Sequence, residues 1–179
     1  MKSTPLLIAA FGLLTACGSG GGEGNEATPS GSVEGKGANT AAPSAPIEPG
    51  DSLTGLYEAQ SGGLSSQLCI VERQQGDTRF GLNIWGASMH ACAGAGTVAR
   101  NGNALTLTME GDRSCSLTAR IEGNAIRLPD QVPAACDYYC GKQARMAGVS
   151  LARTGSREAD ALKARDVVDE ALCEKSPRN

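Results

Sequence analysis

Short runs in which apolar and polar residues alternate constrain the fold of this chain more than any other feature. In residues 103–110, Leu105, Leu107 and Met109 would face one way, while Thr106 and Thr108 would face the other. This period of two is typical of a strand with one buried face. Glycine-containing turn sequences separate the runs, as expected for antiparallel hairpins.

These runs predict a mainly β domain over residues 51–175. The expected strands cover residues 53–58, 66–73, 79–85, 95–100, 103–110, 115–121, 125–128 and 142–153. Seven or eight short strands at this close spacing predict a small antiparallel meander, which would close as a barrel or pack as a sandwich. Within the last strand, Gly148 is expected to form a β-bulge.

The pattern changes period after Ser156. Over residues 156–175 the apolar side chains recur at helical spacing, which predicts a C-terminal α-helix packed on the sheet. Ser156 suits the N-cap, and Glu158 and Asp160 suit the first turn. The buried face of this helix would hold Ala161, Ala164, Val168, Ala171 and Leu172. Residues 176–179 would form a short tail.

Cysteines are the second strong signal. The predicted domain contains Cys69, Cys92, Cys115, Cys136, Cys140 and Cys173. An even number of cysteines in an exported domain is typical of disulfides, here up to three. Zinc binding is the alternative, but the spacings are wide and the chain has one histidine. The sequence does not determine the pairing; a bond between Cys140 and Cys173 would fix the helix to the sheet and is the one we expect.

The first residues of the chain resemble the signal of a bacterial lipoprotein. Lys2 precedes an apolar run over residues 6–14, which is too short to span a membrane, because a span takes about 20 residues. Small residues then stand before Cys17. The order Leu14-Thr15-Ala16-Cys17 resembles the lipobox of that family. An ordinary secretory signal followed by a chance cysteine is the alternative.

The lipobox resemblance implies that residues 1–16 are removed as a signal peptide and that Cys17 carries lipid. Gly18 stands where the family's inner-membrane retention signal has aspartate, which implies an outer-membrane anchor. The domain would then lie in the periplasm or at the cell surface. Residues 17–50 are rich in glycine, proline and serine, so they predict a disordered tether behind the lipidated cysteine.

Composition and motifs argue against several activities. The formal net charge is −3 and no basic patch stands out, so nucleic acid is not an expected partner. His90, the single histidine, lies near Cys92, but no third group would orient it as a catalytic base. Cys136 and Cys140 are separated by three residues, whereas redox motifs have two. We therefore expect no catalytic residue, no metal site and no cofactor.

Three segments resemble small periplasmic lipoproteins that inhibit proteases, of the alkaline-protease-inhibitor type. These segments are Gly55-Leu56-Tyr57, residues 66–70 with Cys69 at the second strand, and the alternating residues 105–109. The resemblance implies a β-barrel related in shape to avidin and the lipocalins. It also implies that the domain inhibits a hydrolase.

The leading hypothesis is a non-enzymatic binding module that acts through a rigid surface loop of residues 85–95. Trp85, Met89 and His90 are its candidate contact residues, since tryptophan is enriched among binding anchors. The partner would be an envelope or secreted protein, in addition to the membrane reached through the lipid on Cys17. Two alternatives stay open: a structural or assembly lipoprotein of the outer membrane, and a barrel that carries a small ligand.

Overall fold

Eight antiparallel strands follow one another around a closed barrel. They are β1 (Gly55–Ser61), β2 (Leu64–Val71), β3 (Thr78–Trp85), β4 (Ala91–Asn101), β5 (Ala104–Met109), β6 (Ser116–Glu122), β7 (Ala125–Arg127) and β8 (Ser150–Gly155). β8 pairs back onto β1, with Arg153 opposite Tyr57, and this pairing closes the barrel. The predicted antiparallel meander is therefore confirmed, and it is a barrel rather than a sandwich.

The computed structural model describes residues 45–73 and 77–174. The predicted signal peptide, Cys17, most of the tether and the tail of residues 176–179 lie outside these ranges. Within them, no helix has the length and apolar character needed to cross a membrane.

Alternation along each strand fills the barrel interior with large apolar side chains. In β5 and β6 the inward residues are those that the period of two predicts. The central interior side chains are only 0–2% exposed: Tyr57, Leu68, Ile70, Phe80, Leu82, Ile84, Leu105, Leu107, Met109, Leu117, Ala119, Ile126 and Leu151. A water-sized cavity among them would leave part of their surface accessible. The interior is therefore packed rather than hollow.

Most strands begin or end within three residues of their predicted bounds, but β4 and β8 begin four or more residues away. β4 begins at Ala91 instead of residue 95, so half of the expected 85–95 loop is strand. β8 begins only at Ser150, because residues 128–149 form a long connection instead of a strand. Gly148 lies in a turn of this connection with a φ of 70°, and its N–H donates to the carbonyl of Pro129 at 2.9 Å. The predicted bulge at Gly148 is therefore wrong.

The up-and-down order gives the barrel two distinct ends. At one, which we call the entry end, residues 45–54 cover the opening beside the turns at Gly102 and Gly123. Ile47 and Leu53 are buried there, and the guanidinium of Arg100 donates to the carbonyls of Glu48 and Asp51. The opposite end, which we call the far end, carries the 86–90 loop, the 110–115 turn and the 128–149 connection.

The last described residues, 156–174, form a strap across the outside of the barrel. The α-helix within it, α1, covers only Glu158–Ala161 and packs on β1 and β2. A C-terminal helix is thus present, but it is far shorter than the predicted 156–175. The reason is a turn around Asp166, whose side chain accepts hydrogen bonds from the N–H groups of Val168 and Glu170.

This turn changes which of the predicted helix residues are buried. Ala161 and Ala164 pack on Leu56 and Val71 in a second small core outside the barrel. Val168, which the helical pattern placed on the buried face, is instead exposed at the tip of the turn. After the turn the chain runs back, and the N–H of Leu172 donates to the carbonyl of Ala164 at 3.1 Å.

All six cysteines of the domain form disulfides, as predicted. The bonds join Cys69 to Cys173, Cys92 to Cys140, and Cys115 to Cys136. The expected bond between Cys140 and Cys173 is wrong. Cys140 is taken by β4, because residues 92 and 140 form a backbone bridge that brings their Cα atoms to 3.9 Å. Cys173 instead fixes the strap to β2.

Candidate interaction surface

The 86–90 loop between β3 and β4 has an unusual backbone. Ser88 and Met89 both adopt left-handed conformations, with φ values of 53° and 59°. Such conformations cost about 1–2 kcal/mol for a residue with a side chain, so the surroundings must hold them. The N–H of Gly86 donates to the carbonyl of His90 at 2.7 Å, which closes the loop.

The 128–149 connection packs behind this loop and supports it. The carbonyl of Gln143 accepts a hydrogen bond from the N–H of Ala87 at 3.1 Å. It also lies so close to Gly86 that a Cβ there would overlap it, so only glycine permits this approach. The Cys92–Cys140 disulfide joins the same connection to the start of β4, two residues after the loop. The loop is therefore held by backbone hydrogen bonds and by a covalent bond beside it.

The three predicted contact residues differ in how far they reach the solvent. Met89 is 76% exposed at the tip of the loop. His90 is half-buried, with its ring against Gly141. Trp85 is also half-buried, and its backbone N–H donates to the hydroxyl of Ser66 at 2.9 Å. Of the three, Met89 is the residue that projects from the far end.

Tyr138 is a further exposed residue at this end, and the sequence did not single it out. It is 83% exposed and stands edge-to-face with Tyr139, the ring centroids being 5.3 Å apart. Tyr139 is fixed in turn, because its hydroxyl accepts a hydrogen bond from the N–H of Asp112 at 2.6 Å. We call Met89, Tyr138, Trp85 and His90 together the far-end surface.

Two disulfides hold the backbone on either side of Tyr138. The tyrosine lies in a 3-10 turn over Ala134–Tyr139, and this turn is fixed at both sides by Cys136 and Cys140. Aromatic groups lose few rotatable bonds on binding, which suits them to contact surfaces. A tyrosine between two half-cystines was the available signal, but the sequence alone did not show which face of the turn is exposed.

The cysteine chemistry that the sequence left open is resolved by the bonding. The sulfur of Cys92 is bonded to Cys140, so Cys92 offers His90 no thiol. Cys136 and Cys140 belong to different disulfides and do not form a redox pair. Across the described ranges, no group of three histidine, cysteine or acidic side chains is placed to hold a metal ion.

A polar groove runs along the outer face of β3 to β5, beside the strap. Two cavities of about 340 and 450 Å³ meet there, and both are lined by Arg79 and Glu110. These two side chains form an ion pair with each other in the groove. Because Arg79 and Glu110 already neutralise each other, these two charges offer a weaker basis for recognition than the far-end surface.

Comparison with known proteins does not assign this chain to a family. Comparison with protein families, with curated proteins and with solved structures finds no match to this chain. A function is therefore inferred from the packed barrel, its two ends and the residues exposed at them.

Proposed function

We propose that this chain is a lipid-anchored envelope protein whose barrel is a binding module for another protein. The far-end surface would make the contact, and hydrolases of the envelope or of the surroundings are the partner class that we favour. The binding role would need no catalytic group, metal or cofactor. The single observation that carries the proposal is a packed interior combined with exposed anchor residues on a rigid end.

The packed interior supports binding at the outside of the barrel. A carrier of small molecules needs a cavity, commonly of about 300–1,000 Å³ and mostly apolar. In this barrel the corresponding space holds Tyr57, Phe80 and the leucines and isoleucines of the strands, which are closed to water. The carrier alternative therefore has no support from the interior.

The far-end surface has the properties of a protein contact site. Methionine and tyrosine are enriched in protein interfaces, and buried aromatic anchors account for much of the binding energy. Met89 and Tyr138 stand exposed within three residues of the Cys92–Cys140 disulfide along the chain. Because the segments that carry them are already ordered, binding would cost little conformational entropy.

The direction of the chain fits a lipid anchor at Cys17. Residues 45–54 reach the barrel at the entry end, where Arg100 and Arg153 hold their carbonyls. The far-end surface lies at the opposite end of the strands. A protein tethered through the entry end would therefore leave the far end free to meet a partner.

The binding proposal can be tested by site-specific photocrosslinking in the envelope of the bacterium that makes the protein. A photoreactive amino acid would replace Met89 or Tyr138 in the full chain, with Asn103 at the entry end as the matched control. We expect the same partner to be captured from positions 89 and 138 and not from 103. Capture from 103 alone, or none at 89 and 138, would contradict the proposal.

The identity of the captured protein distinguishes an inhibitor from a structural protein. A hydrolase that the purified full chain inhibits at a one-to-one ratio would support an inhibitor. An outer-membrane protein whose assembly depends on this chain would support the structural role. In either case, Met89→Ala and Tyr138→Ala should each weaken binding about tenfold or more, as expected for anchor residues.

The lipid anchor has a separate test. Mass spectrometry of the mature N-terminus should find Cys17 as the first residue with acyl groups attached. Two or more chains would give stable membrane attachment. A free N-terminus at another residue would contradict the anchor without affecting the binding role.

A further inference from the structure

The described part of the chain contains three methionines in opposite environments. Met109 is completely buried in the barrel, and Met146 is 2% exposed where the 128–149 connection closes the far end. Met89, in contrast, is 76% exposed. Oxidation of a thioether requires that the oxidant reach the sulfur, so these three side chains should react at very different rates.

The surroundings of Met89 favour its oxidation further. The six cysteines of the domain are in disulfides, so none of them offers a thiol that would react first. The loop is held by backbone hydrogen bonds of Gly86, Ala87 and His90 and does not depend on the Met89 side chain. An added oxygen would therefore change the surface without disturbing the core.

We propose that Met89 is a selective sulfoxidation site, and that its oxidation switches off binding at the far-end surface. The oxidant is a peroxide or a hypohalous acid, the two-electron oxidants that attack thioethers. With hydrogen peroxide, the sulfur gives up two electrons and gains one oxygen, the O–O bond breaks, and water leaves. The part of this proposal that concerns binding rests on the proposed function.

The chemistry of the product explains the switch. The sulfoxide is polar and carries a strong hydrogen-bond acceptor, whereas the thioether is apolar. An apolar pocket of a partner that accepts Met89 would have to desolvate this new oxygen without a matching donor. The change is reversible, because sulfoxide reductases use two electrons and two protons from thiols to release the oxygen as water.

Peptide mapping after graded oxidation tests the site itself. The purified full chain would be treated with hydrogen peroxide, digested, and analysed for sulfoxide at Met89, Met109 and Met146. We expect Met89 to react about tenfold faster than either buried methionine. In protein unfolded and reduced beforehand, then alkylated, the three rates should be equal. Native rates within twofold of one another would overturn the assignment.

The consequence for binding is measured on the same samples. Oxidised wild-type protein should bind the crosslinked partner at least tenfold more weakly, and treatment with a sulfoxide reductase should restore the affinity. The Met89→Leu variant has no thioether at this position, so peroxide treatment should not change whatever affinity it has for the partner. Full binding by protein oxidised at Met89 would overturn the switch. Failure to find any partner would instead contradict the proposed function, while peptide mapping would still decide the oxidation site.

Discussion

The carbonyl oxygen of Leu172 lies directly against the Cα of Gly81, on the outer face of β3. A Cβ at position 81 would overlap this oxygen and the carbonyl carbon. The strap can therefore approach the barrel closely only where the strand carries glycine. Close to this point, the Cys69–Cys173 disulfide makes the same attachment covalent.

Gly81→Ala should displace the strap from the barrel. Backbone atoms cannot move aside as a flexible side chain can, so we expect a loss of about 1–3 kcal/mol in the free energy of unfolding. The yield of the Cys69–Cys173 bond should fall, while the Cys92–Cys140 and Cys115–Cys136 bonds form normally. Denaturant titration and disulfide mapping by mass spectrometry would measure these effects.

Gly102→Ala is the matched control for this experiment. Gly102 has no atom within 4 Å of its Cβ position, but its φ of 60° makes a side chain unfavourable. Backbone strain alone should lower the free energy of unfolding of this variant by about 1 kcal/mol. Its Cys69–Cys173 bond should form fully. A lower bond yield in both variants would show that the effect is general instability and not the contact with Leu172.

Removing the Cys69–Cys173 bond should loosen the strap while the barrel stays folded. The bond closes a long loop, since its cysteines are 104 residues apart, and such bonds typically contribute about 2–4 kcal/mol. In the Cys69→Ala/Cys173→Ala double variant, trypsin should cut after Lys163 or Arg165 much faster than in the wild type. The double variant of Cys115 and Cys136 is the control, because its bond lies at the far end and should leave strap cleavage unchanged.

Asp160 makes the first turns of the strap sensitive to acid. Hydrogen bonds from Arg157 and Lys163 hold the pKa of this carboxyl well below its usual range. A lowered pKa stabilises the folded state above the unfolded pKa of about 3.9, and this contribution is lost as the pH falls through the lower folded value. Because Arg157 and Lys163 are exposed and screened by water, we expect these contacts to add only about 1 kcal/mol to the free energy of unfolding.

Asp160→Asn would show this contribution directly. At pH 7 the variant should be about 1 kcal/mol less stable than the wild type in denaturant titrations. The difference should shrink steadily below about pH 4, where the wild-type carboxyl begins to take up a proton. A difference that stays constant down to pH 2 would mean that the charge of Asp160 has no part in it.

The barrel could be predicted from the sequence because its signals are local. β5 and β6 alternate between inward and outward residues at every position. Glycine turns at residues 102 and 123 join β4 to β5 and β6 to β7 as hairpins. Neighbouring strands along the chain are also neighbours in the sheet. Pattern and topology therefore agree, and the meander follows from residues close together in sequence.

The errors concern one turn without an apolar pattern and several contacts between distant parts of the chain. The helical spacing of residues 156–175 is real for Ala161 and Ala164, but Asp166 starts a turn that no apolar pattern reveals. The partner of Cys140 depends on where the 128–149 connection crosses the far end, and the sequence carries no signal for that. The exposure of Tyr138 was missed for the same reason. Met89, in contrast, lay in a short loop between two predicted strands and could be chosen as a contact residue.

Tyr57 links the interior of the barrel to its entry end. The side chain is completely buried, and its hydroxyl donates to the carbonyl of Leu53 at 2.8 Å. Tyr57→Phe would leave this carbonyl without its partner, at a cost of about 1–3 kcal/mol in the free energy of unfolding. Tyr139→Phe is a comparison at the far end, where the N–H of Asp112 would lose its acceptor. Because Tyr139 is only half-buried, Tyr139→Phe should lower the free energy of unfolding by less than Tyr57→Phe.

The same residue predicts how stability depends on alkaline pH. Burial raises the pKa of Tyr57 to about 12 from the ordinary value of 10.0, although the nearby Arg153 opposes the shift. Between these two values the unfolded chain has lost the phenolic proton and the folded chain still holds it, so stability falls as the pH rises. At about 1.4 kcal/mol for each pH unit, the loss by pH 11 is on the order of 1 kcal/mol. Denaturant titrations at pH 9 and 11 should show this loss in the wild type and not in Tyr57→Phe. If the free energy of unfolding falls equally between pH 9 and 11 in the wild type and in Tyr57→Phe, Tyr57 ionises in the folded barrel as readily as in the unfolded chain.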